Sequence, residues 1–311
     1  MRIVFMGSAD IAIPSLEKIV AAGKDEVVGV ITQPDRPKGR KRVLSPCPVK
    51  AAALELGLNV LTPEKVGSED SVAALAELKP DLFVVVAYGQ YIPERVLALA
   101  EHRGINMHPS LLPKYRGAAP IQWSLLNGDA ITGVTIIDVA KEMDAGDMLA
   151  QKDFVIEPDD TAGILHDKLA VFGGDMLLEV IAQVREGAEV RTPQDHSQAV
   201  EVRKLTKHDG HIDWSLPAEE VRNRVRAFNP WPSCFTEAPA GSGDVLKVLA
   251  VQVEDVAGAP GEVLACDGDG PLIACGDRAV RLVGVQPQGR KVMNGKAYLN
   301  GRKIAVGDRL A

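Results

Sequence analysis

The sequence predicts an α/β protein in which a mostly parallel, doubly wound sheet precedes a small antiparallel β-barrel. Three observations carry that expectation. Continuous apolar, β-branched runs alternate with helical patterns over the first half of the chain, as strands buried on both faces and their crossover helices do. Beyond residue 186 the style changes to short strand-like segments punctuated by Gly and Pro, which suits an antiparallel barrel. The length of 311 residues, at roughly 150 per domain, gives room for two cores.

The elements follow in order. Met1 to Met6 is a strand ending at Gly7, and Ile13 to Ala22 is a helix with Pro14 near its start, where a missing N–H is tolerated. Strand Val27 to Thr32, helix Val49 to Leu56, short strand Asn59 to Leu61, helix Ser71 to Leu78 and strand Leu82 to Ala87 repeat the pattern, as do helix Glu94 to Ala100 and strand Gly104 to Met107. Ligands of such sheets sit at the carboxyl ends of the strands. Gly133 to Asp138 and Met148 to Ile156 are strand-like, and an amphipathic helix runs from about Thr161 to Glu186. Arg191 to Asp213 is polar, as a linker should be. Helix Ala218 to Phe228 is stopped by Asn229-Pro230-Trp231-Pro232, and strands Val245 to Val253, Gly261 to Cys266, Pro271 to Cys275, Ala279 to Val285 and Arg302 to Val306 complete the barrel.

Several classes of function lose support at once. The first strand-to-helix turn, Gly7-Ser8-Ala9-Asp10, lacks G-x-G-x-x-G, and neither a P-loop nor a G-x-S-x-G elbow is present. Cys47, Cys234, Cys266 and Cys275 have no zinc-site spacing and are expected to be inert thiols; His208 and His211 lack further ligands and are expected at the surface. The longest apolar run, Leu82 to Tyr88, is far short of the ~18 residues of a membrane span, so a cytoplasmic location is expected. The net charge of −7 argues against a generally cationic nucleic-acid binder. Residues 207–311 carry 13 basic and 13 acidic side chains, so the whole excess lies in 1–206, with 22 basic and 29 acidic. On that acidic part sits a local exception, Arg36-Pro37-Lys38-Gly39-Arg40-Lys41-Arg42, with five cations in seven residues. Such a loop is either merely solvated or awaits phosphates. Arg222, Arg224 and Arg226, at two-residue spacing, are expected to form a diffuse positive helix rather than a clamp.

The densest chemical signal is Asn106-Met107-His108-Pro109-Ser110-Leu111-Leu112-Pro113, at the carboxyl end of an expected strand. Alternation puts the Asn106 amide and the His108 imidazole on one strand face, ~7 Å apart at the backbone, so both can reach one small ligand. The same residues also fit a plain strand end whose Asn caps a turn and whose His is satisfied and half-buried. Downstream, Lys141-Glu142-Met143-Asp144-Ala145-Gly146-Asp147 is an acidic loop between two strands. A carboxylate from it facing the imidazole would fix the ring and favour its acid form; a solvated hairpin is the alternative.

Residues Asn106 to Pro120, with Thr132-Gly133-Val134-Thr135 and Met143-Asp144-Ala145-Gly146-Asp147, closely resemble the formyltransferases that use 10-formyltetrahydrofolate. Met1 to Gly7, the segment Gln33 to Lys50 and Arg226-Ala227-Phe228-Asn229-Pro230-Trp231-Pro232 are similar to the branch of that family acting on methionyl-tRNA, and the resemblance spans nearly the whole chain. It implies a Rossmann-like catalytic domain over 1–189 with a basic insertion over 33–46, a linker over 190–206, and an OB-like barrel over 207–311 that assists tRNA binding. It further implies formyl transfer from 10-formyltetrahydrofolate to the α-amine of methionyl initiator tRNA, without a metal. Asn106, His108 and Asp144 then correspond to the catalytic set, Ser110, Leu111, Leu112 and Pro113 to a segment lying along the folate, and Arg36, Lys38, Arg40, Lys41 and Arg42 to the tRNA-contacting insertion. A monomer is compatible with these roles, and the sequence leaves the oligomeric state open. Gly7-Ser8-Ala9-Asp10-Ile11 and Ala145 depart from the family's usual residues without removing a catalytic side chain.

Within this family, an amino-sugar nucleotide acceptor is the main alternative, and a non-catalytic tRNA-binding protein is the alternative from another class. Five clustered cations favour tRNA, because a sugar nucleotide offers few phosphates. Attack of an amine on a formyl carbon develops an oxyanion and requires a proton at the departing nitrogen, needs that an amide, an imidazole and a carboxylate can meet.

Overall fold

Why the sheet is ordered as it is follows from where the chain can bury its apolar strands. The computed structural model describes residues 1–38, 43–301 and 304–311. In chain order the elements are β1 (Arg2–Gly7), α1 (Ile13–Ala22), β2 (Glu26–Ile31), β3 (Arg36–Lys38), β4 (Val43–Ser45), α2 (Pro48–Glu55), β5 (Val60–Leu61), α3 (Glu69–Glu77), β6 (Leu82–Val86), α4 (Glu94–Leu97) and β7 (Gly104–His108). There follow β8 (Lys114–Gly117), α5 (Pro120–Leu126), β9 (Ile131–Asp138), β10 (Met148–Val155), α6 (Ala162–Glu186) and β11 (Val200–Val202). The rest is α7 (Ala218–Ala227), β12 (Cys234–Glu237), β13 (Val245–Glu254), β14 (Val263–Asp267), β15 (Gly270–Ala274), β16 (Ala279–Pro287), β17 (Met293–Asn294) and α8 (Gly295–Asn300).

Seven strands form the main sheet in the order β10-β9-β7-β6-β1-β2-β5. The pairings from β5 to β7 are parallel, and β9 and β10 add antiparallel pairings at one edge. Ile3 to Met6 and Leu82 to Val86 are buried, as strands covered on both faces must be. One face packs Val4, Met6, Phe83 and Val85 with Leu75 of α3 and Val96 and Leu97 of α4; each such side chain contributes ~1.5–3 kcal/mol by leaving water. Against the other face lies α6, close enough that a Cβ on Gly173 would come within 2.2 Å of the Met107 sulfur. The chain leaves β1 toward β2 and β5, then returns to β6 and β7 on the other side. That reversal opens a crevice at the carboxyl ends of β1 and β6, where such sheets bind ligands. Helix ends follow local signals: α1 stops at Gly23 with φ +61°, and Ser68 accepts the Ser71 N–H at the start of α3.

Tyr88 follows β6 and is 2% exposed; burial raises its hydroxyl above the usual range, and among the described residues the hydroxyl meets no partner. Tyr88→Phe removes that unmatched group without changing shape. It is expected to raise stability by about 1 kcal/mol in urea unfolding, and a lower midpoint would show that the hydroxyl is engaged.

The chain divides into two compact units. One comprises Met1–Gly117, Ile131–Val155 and His166–Glu201; the other comprises Ala118–Ala130, Ile156–Leu165 and Val202–Ala311. A single change of domain near residue 190 therefore does not describe the division, because two earlier segments join the second unit. The reason is hydrogen bonding and packing. Helix α5 packs on α7, the Gly163 N–H donates to the Asn229 carbonyl at 3.0 Å, and the Arg222 and Arg226 guanidiniums donate to the Pro158 carbonyl at 2.7 and 3.1 Å. The last pair corrects the expectation of a diffuse positive helix: residues four apart share a helix face, and these two clamp one carbonyl.

In the second unit an antiparallel sheet runs β12-β13-β16-β15-β14, with β17 on β16. Residues 307–311 join its edges. The Val263 N–H donates to the Asp308 carbonyl (2.9 Å) and the Leu310 N–H to the Gly261 carbonyl (2.9 Å), while Glu237 and Ala311 exchange N–H···O bonds of 2.6 and 3.1 Å. Of the expected closing strand at Arg302 to Val306, Arg302 and Lys303 lie outside the described residues, Ile304 and Ala305 are not in a strand, and the pairing seen begins in the turn at Val306 and Gly307. Burial pushes the Cys234 and Cys275 thiols up to about 12, which keeps them neutral and unreactive. Among the described residues no helix is long and apolar enough to cross a membrane.

Candidate active site

The period of two along β7 decides which side chains meet. Met107 turns toward α6, so Asn106 and His108 turn to the opposite face. Strand β9 pairs antiparallel with β7, setting His108 against Thr135 and Asn106 against Ile137. The chain then leaves β9 at Asp138, loops, and enters β10 at Met148, which returns Asp144 to the carboxyl end of β7.

There the three side chains converge. Asp144 accepts the Gly117 N–H at Oδ2 (2.9 Å); the Asn106 Nδ2 lies 3.5 Å from its Oδ1 and the His108 Nδ1 lies 3.6 Å from its Oδ2. The other ring nitrogen, Nε2, donates to the Tyr115 carbonyl at 2.9 Å. His108 is only 5% exposed, so that bond anchors the ring firmly. The two contacts to Asp144 exceed the ~2.9 Å of a well-formed N–H···O bond, so the Nδ1 edge and the Asn106 amide are oriented without being fully committed. Asp144 itself adopts φ +53°, an uncommon backbone for a non-glycine residue, which the surrounding bonds must maintain.

Those bonds come from a segment the sequence presents only as polar linker. Thr192 and Met148 exchange backbone bonds of 2.8 and 2.9 Å, and the Arg191 Nε donates to Asp138 at 2.8 Å. Burial raises the Asp138 carboxyl, an effect that the Arg191 guanidinium opposes. Gln194, buried, donates to the Asp144 and Gly146 carbonyls at 2.8 Å each and accepts two bonds from Arg116, which also meets His196 Nδ1 at 3.0 Å. Nothing in the local sequence around Gln194 marks it as more than loop.

Of the residues the resemblance aligns with folate, Ser110 and Leu112 are buried, whereas Leu111 and Pro113 are half-buried. The Ser110 hydroxyl is used internally, donating to the Lys114 carbonyl at 2.7 Å. Thr135 pins the segment: its hydroxyl donates to the Ser110 carbonyl (2.7 Å) and accepts the Leu112 N–H (3.1 Å), while Gln151 donates to the Leu112 carbonyl (2.8 Å). Gly133 on β9 permits this close approach, since a Cβ there would lie 2.4 Å from Leu111 and 2.3 Å from the Lys152 carbonyl. Thr135 lies in the Thr132-Gly133-Val134-Thr135 motif, so the sequence carries a signal for it.

A cavity of about 420 Å³ lies beside the loop, lined by Arg116, Glu142, Met143, Ala145, His196 and Glu201. At the crevice, the Ser8 hydroxyl donates to the Tyr88 carbonyl and accepts the Gln33 N–H, both at 3.0 Å, tying together the ends of β1, β2 and β6. Among the described residues no cluster of His, Cys, Asp and Glu is arranged to hold a metal ion. Of the basic loop, Arg36 is exposed and lies 3.5 Å from Glu64, and Lys50 pairs with Asp35 at its base (2.7 Å). Lys38 lies on β3. Arg40, Lys41 and Arg42 lie outside the described residues. His208 and His211 are exposed, as expected, and the His211 ring packs edge-on against Phe235.

Comparison with known proteins bears on this geometry. The family described as "Formyl transferase" matches residues 1–181, and "Formyl transferase, C-terminal domain" matches 204–303. The methionyl-tRNA formyltransferase of Geobacter metallireducens is 41% identical over 310 residues, covering 100% of this chain and 98% of that protein. That of Desulfotalea psychrophila is 46% identical over 308 residues, covering 98% and 94%. HypX from Aquifex aeolicus, solved in complex with tetrahydrofolic acid, shares the fold at 20% identity and a TM-score of 0.64, covering 97% of this chain and 47% of that one.

Proposed function

The chain belongs to the formyl transferase family, and from that premise we propose that it transfers the formyl group of 10-formyltetrahydrofolate to the α-amine of methionyl initiator tRNA, in the cytoplasm, for translation initiation. The observation that carries the reading is the convergence of Asn106, His108 and Asp144 within 3.6 Å at the carboxyl end of β7, beside the crevice where the strand order reverses. The full-length likeness to methionyl-tRNA formyltransferases supports the choice of acceptor.

The chemistry follows from the positions. A neutral amine adds to the formyl carbon, forming the new C–N bond and leaving negative charge on the formyl oxygen. The Asn106 amide and the His108 Nδ1–H, neither held by a close bond to Asp144, donate to that oxygen and stabilise it as its charge grows. Collapse breaks the bond from carbon to the folate nitrogen, which takes up the proton His108 supplies; the attacking nitrogen loses one to Asp144 or to a water it holds. Anchoring of Nε2 on Tyr115 leaves Nδ1 as the working nitrogen. No covalent intermediate on the protein is needed. Leu111, packed against Gly133, and Pro113, both half-buried, offer the apolar edge along which the folate lies. The basic segment Arg36 to Arg42 and the barrel unit engage tRNA phosphates.

The test is acceptor choice. With 10-formyltetrahydrofolate as donor, the protein is expected to formylate methionyl initiator tRNA and not a nucleotide-linked amino sugar; the reverse selectivity, or binding of tRNA without transfer, overturns the reading. Arg36→Ala combined with Arg40→Ala and Arg42→Ala is expected to weaken tRNA binding and to flatten the slope of log affinity against log salt by up to ~0.9 for each lost phosphate contact. An unchanged slope removes this loop from the interface.

A further inference from the structure

Asp144 holds an unfavourable backbone conformation in a loop exposed at its tip, where Met143 is 71% exposed. Something must fix it. Three ties from one following segment reach this loop and its base: Arg191 to the Asp138 carboxylate, Thr192 to the Met148 backbone, and Gln194 to the Asp144 and Gly146 carbonyls.

We propose that Gln194, held by Arg116, is a positioning residue for Asp144, setting the carboxylate where it meets Asn106 and His108. The bonding capacity of the side chain is used in one sense only. Both amide hydrogens go to the carbonyls on either side of Ala145, at 2.8 Å each, and the amide oxygen accepts from Arg116 Nε (3.1 Å) and Nη2 (2.6 Å). Reversing the amide would set NH2 against a guanidinium and oxygen against two carbonyls, so chemistry fixes its orientation. Gln194 is 4% exposed and Arg116 7%, so neither can exchange these partners for water without opening the loop. A two-pronged donor across Ala145 constrains the rotation of the backbone on both sides of it, and hence the direction of the Asp144 side chain. The Gly117 N–H, one residue beyond Arg116, fixes the carboxylate itself at Oδ2 (2.9 Å). Backbone and side chain of Asp144 are thus located by Gln194 and by the strand that carries Arg116.

The inference rests on the catalytic reading of Asp144, and a double-mutant cycle separates the two. Gln194→Leu keeps the volume and removes all four bonds. It is expected to lower kcat for formyl transfer by about 10- to 100-fold, as displacement of a catalytic group by the order of 1 Å does, with KM for both substrates nearly unchanged. In an Asp144→Asn background the same change is expected to have little further effect, because the group it positions is already disabled. Gln194→Asn, which keeps an amide but is one methylene short, carries the same cycle if the leucine variant folds poorly. Factors that multiply in the double variant, or a loss seen in KM alone, overturn the positioning role. Full activity of Asp144→Asn by itself overturns instead the catalytic reading beneath it.

Discussion

His108→Ala is expected to lower kcat for formyl transfer by roughly a hundred- to a thousand-fold, the range expected when an oriented acid–base group or oxyanion donor is lost. The ring is 5% exposed, anchored through Nε2 to the Tyr115 carbonyl at 2.9 Å, and aimed through Nδ1 at Asp144. Those constraints hold the ring in one orientation and remove most of the reorganisation a mobile ring would need. Alanine also removes the bond from the ring to the Tyr115 carbonyl, so a second variant is informative. His108→Gln can restore that bond but cannot relay a proton, and it should remain nearly as slow while unfolding close to the parent midpoint. Steady-state rates at saturating donor and acceptor decide the matter. A drop of less than about tenfold in either variant, below what positioned acid–base groups contribute, would take His108 out of the reaction.

Gly146→Ala is the second large effect, and it acts through space rather than chemistry. A Cβ at that position would lie 1.9 Å from the Asp138 carbonyl oxygen and 2.8 Å from its carbon, and both are backbone atoms at the base of the same loop. They cannot swing aside as a side-chain end can. Relief requires the loop to move by the order of 1 Å, carrying Asp144, two residues away, out of register with Asn106 and His108. A loss of about a hundredfold in kcat is expected from such a displacement, with a stability cost of ~1–3 kcal/mol from the overpacking. Kinetics and urea unfolding on the same preparation check both. Unchanged kcat would mean that the position of Asp144 does not control the rate.

Legibility in the sequence varied with how local the cause is. Asn106 and His108 could be paired from sequence because a strand alternates its faces, and Met107 packing toward α6 is the same rule seen from the other side. The parallel core was visible in runs such as Leu82 to Val86, whose burial on both faces leaves no alternation to confuse. Helix α5 was not visible: Pro120–Leu126 is short, and it is stabilised by α7, nearly a hundred residues away. In Arg222, Arg224 and Arg226 the two-residue spacings suggest a diffuse helix, whereas the four-residue spacing of Arg222 and Arg226 puts them on one face, and their target, the Pro158 carbonyl, is distant in sequence. Gln194 sits in a polar stretch like any linker, and only its burial against Arg116 and the Asp144 loop distinguishes it.

The sequence alone determined the fold class, the strand carrying the amide and imidazole, and the motif resemblance that names the chemistry, because periodicity, turn residues and residue spacing are properties of neighbours along a chain. The tertiary structure decided which carboxylate faces the imidazole, which ring nitrogen is anchored and which is available, how the 307–311 segment joins the barrel edges, and what holds Asp144 at φ +53°. Each of these depends on hydrogen bonds between residues far apart in sequence, whose partners exist only once the sheet has brought them together.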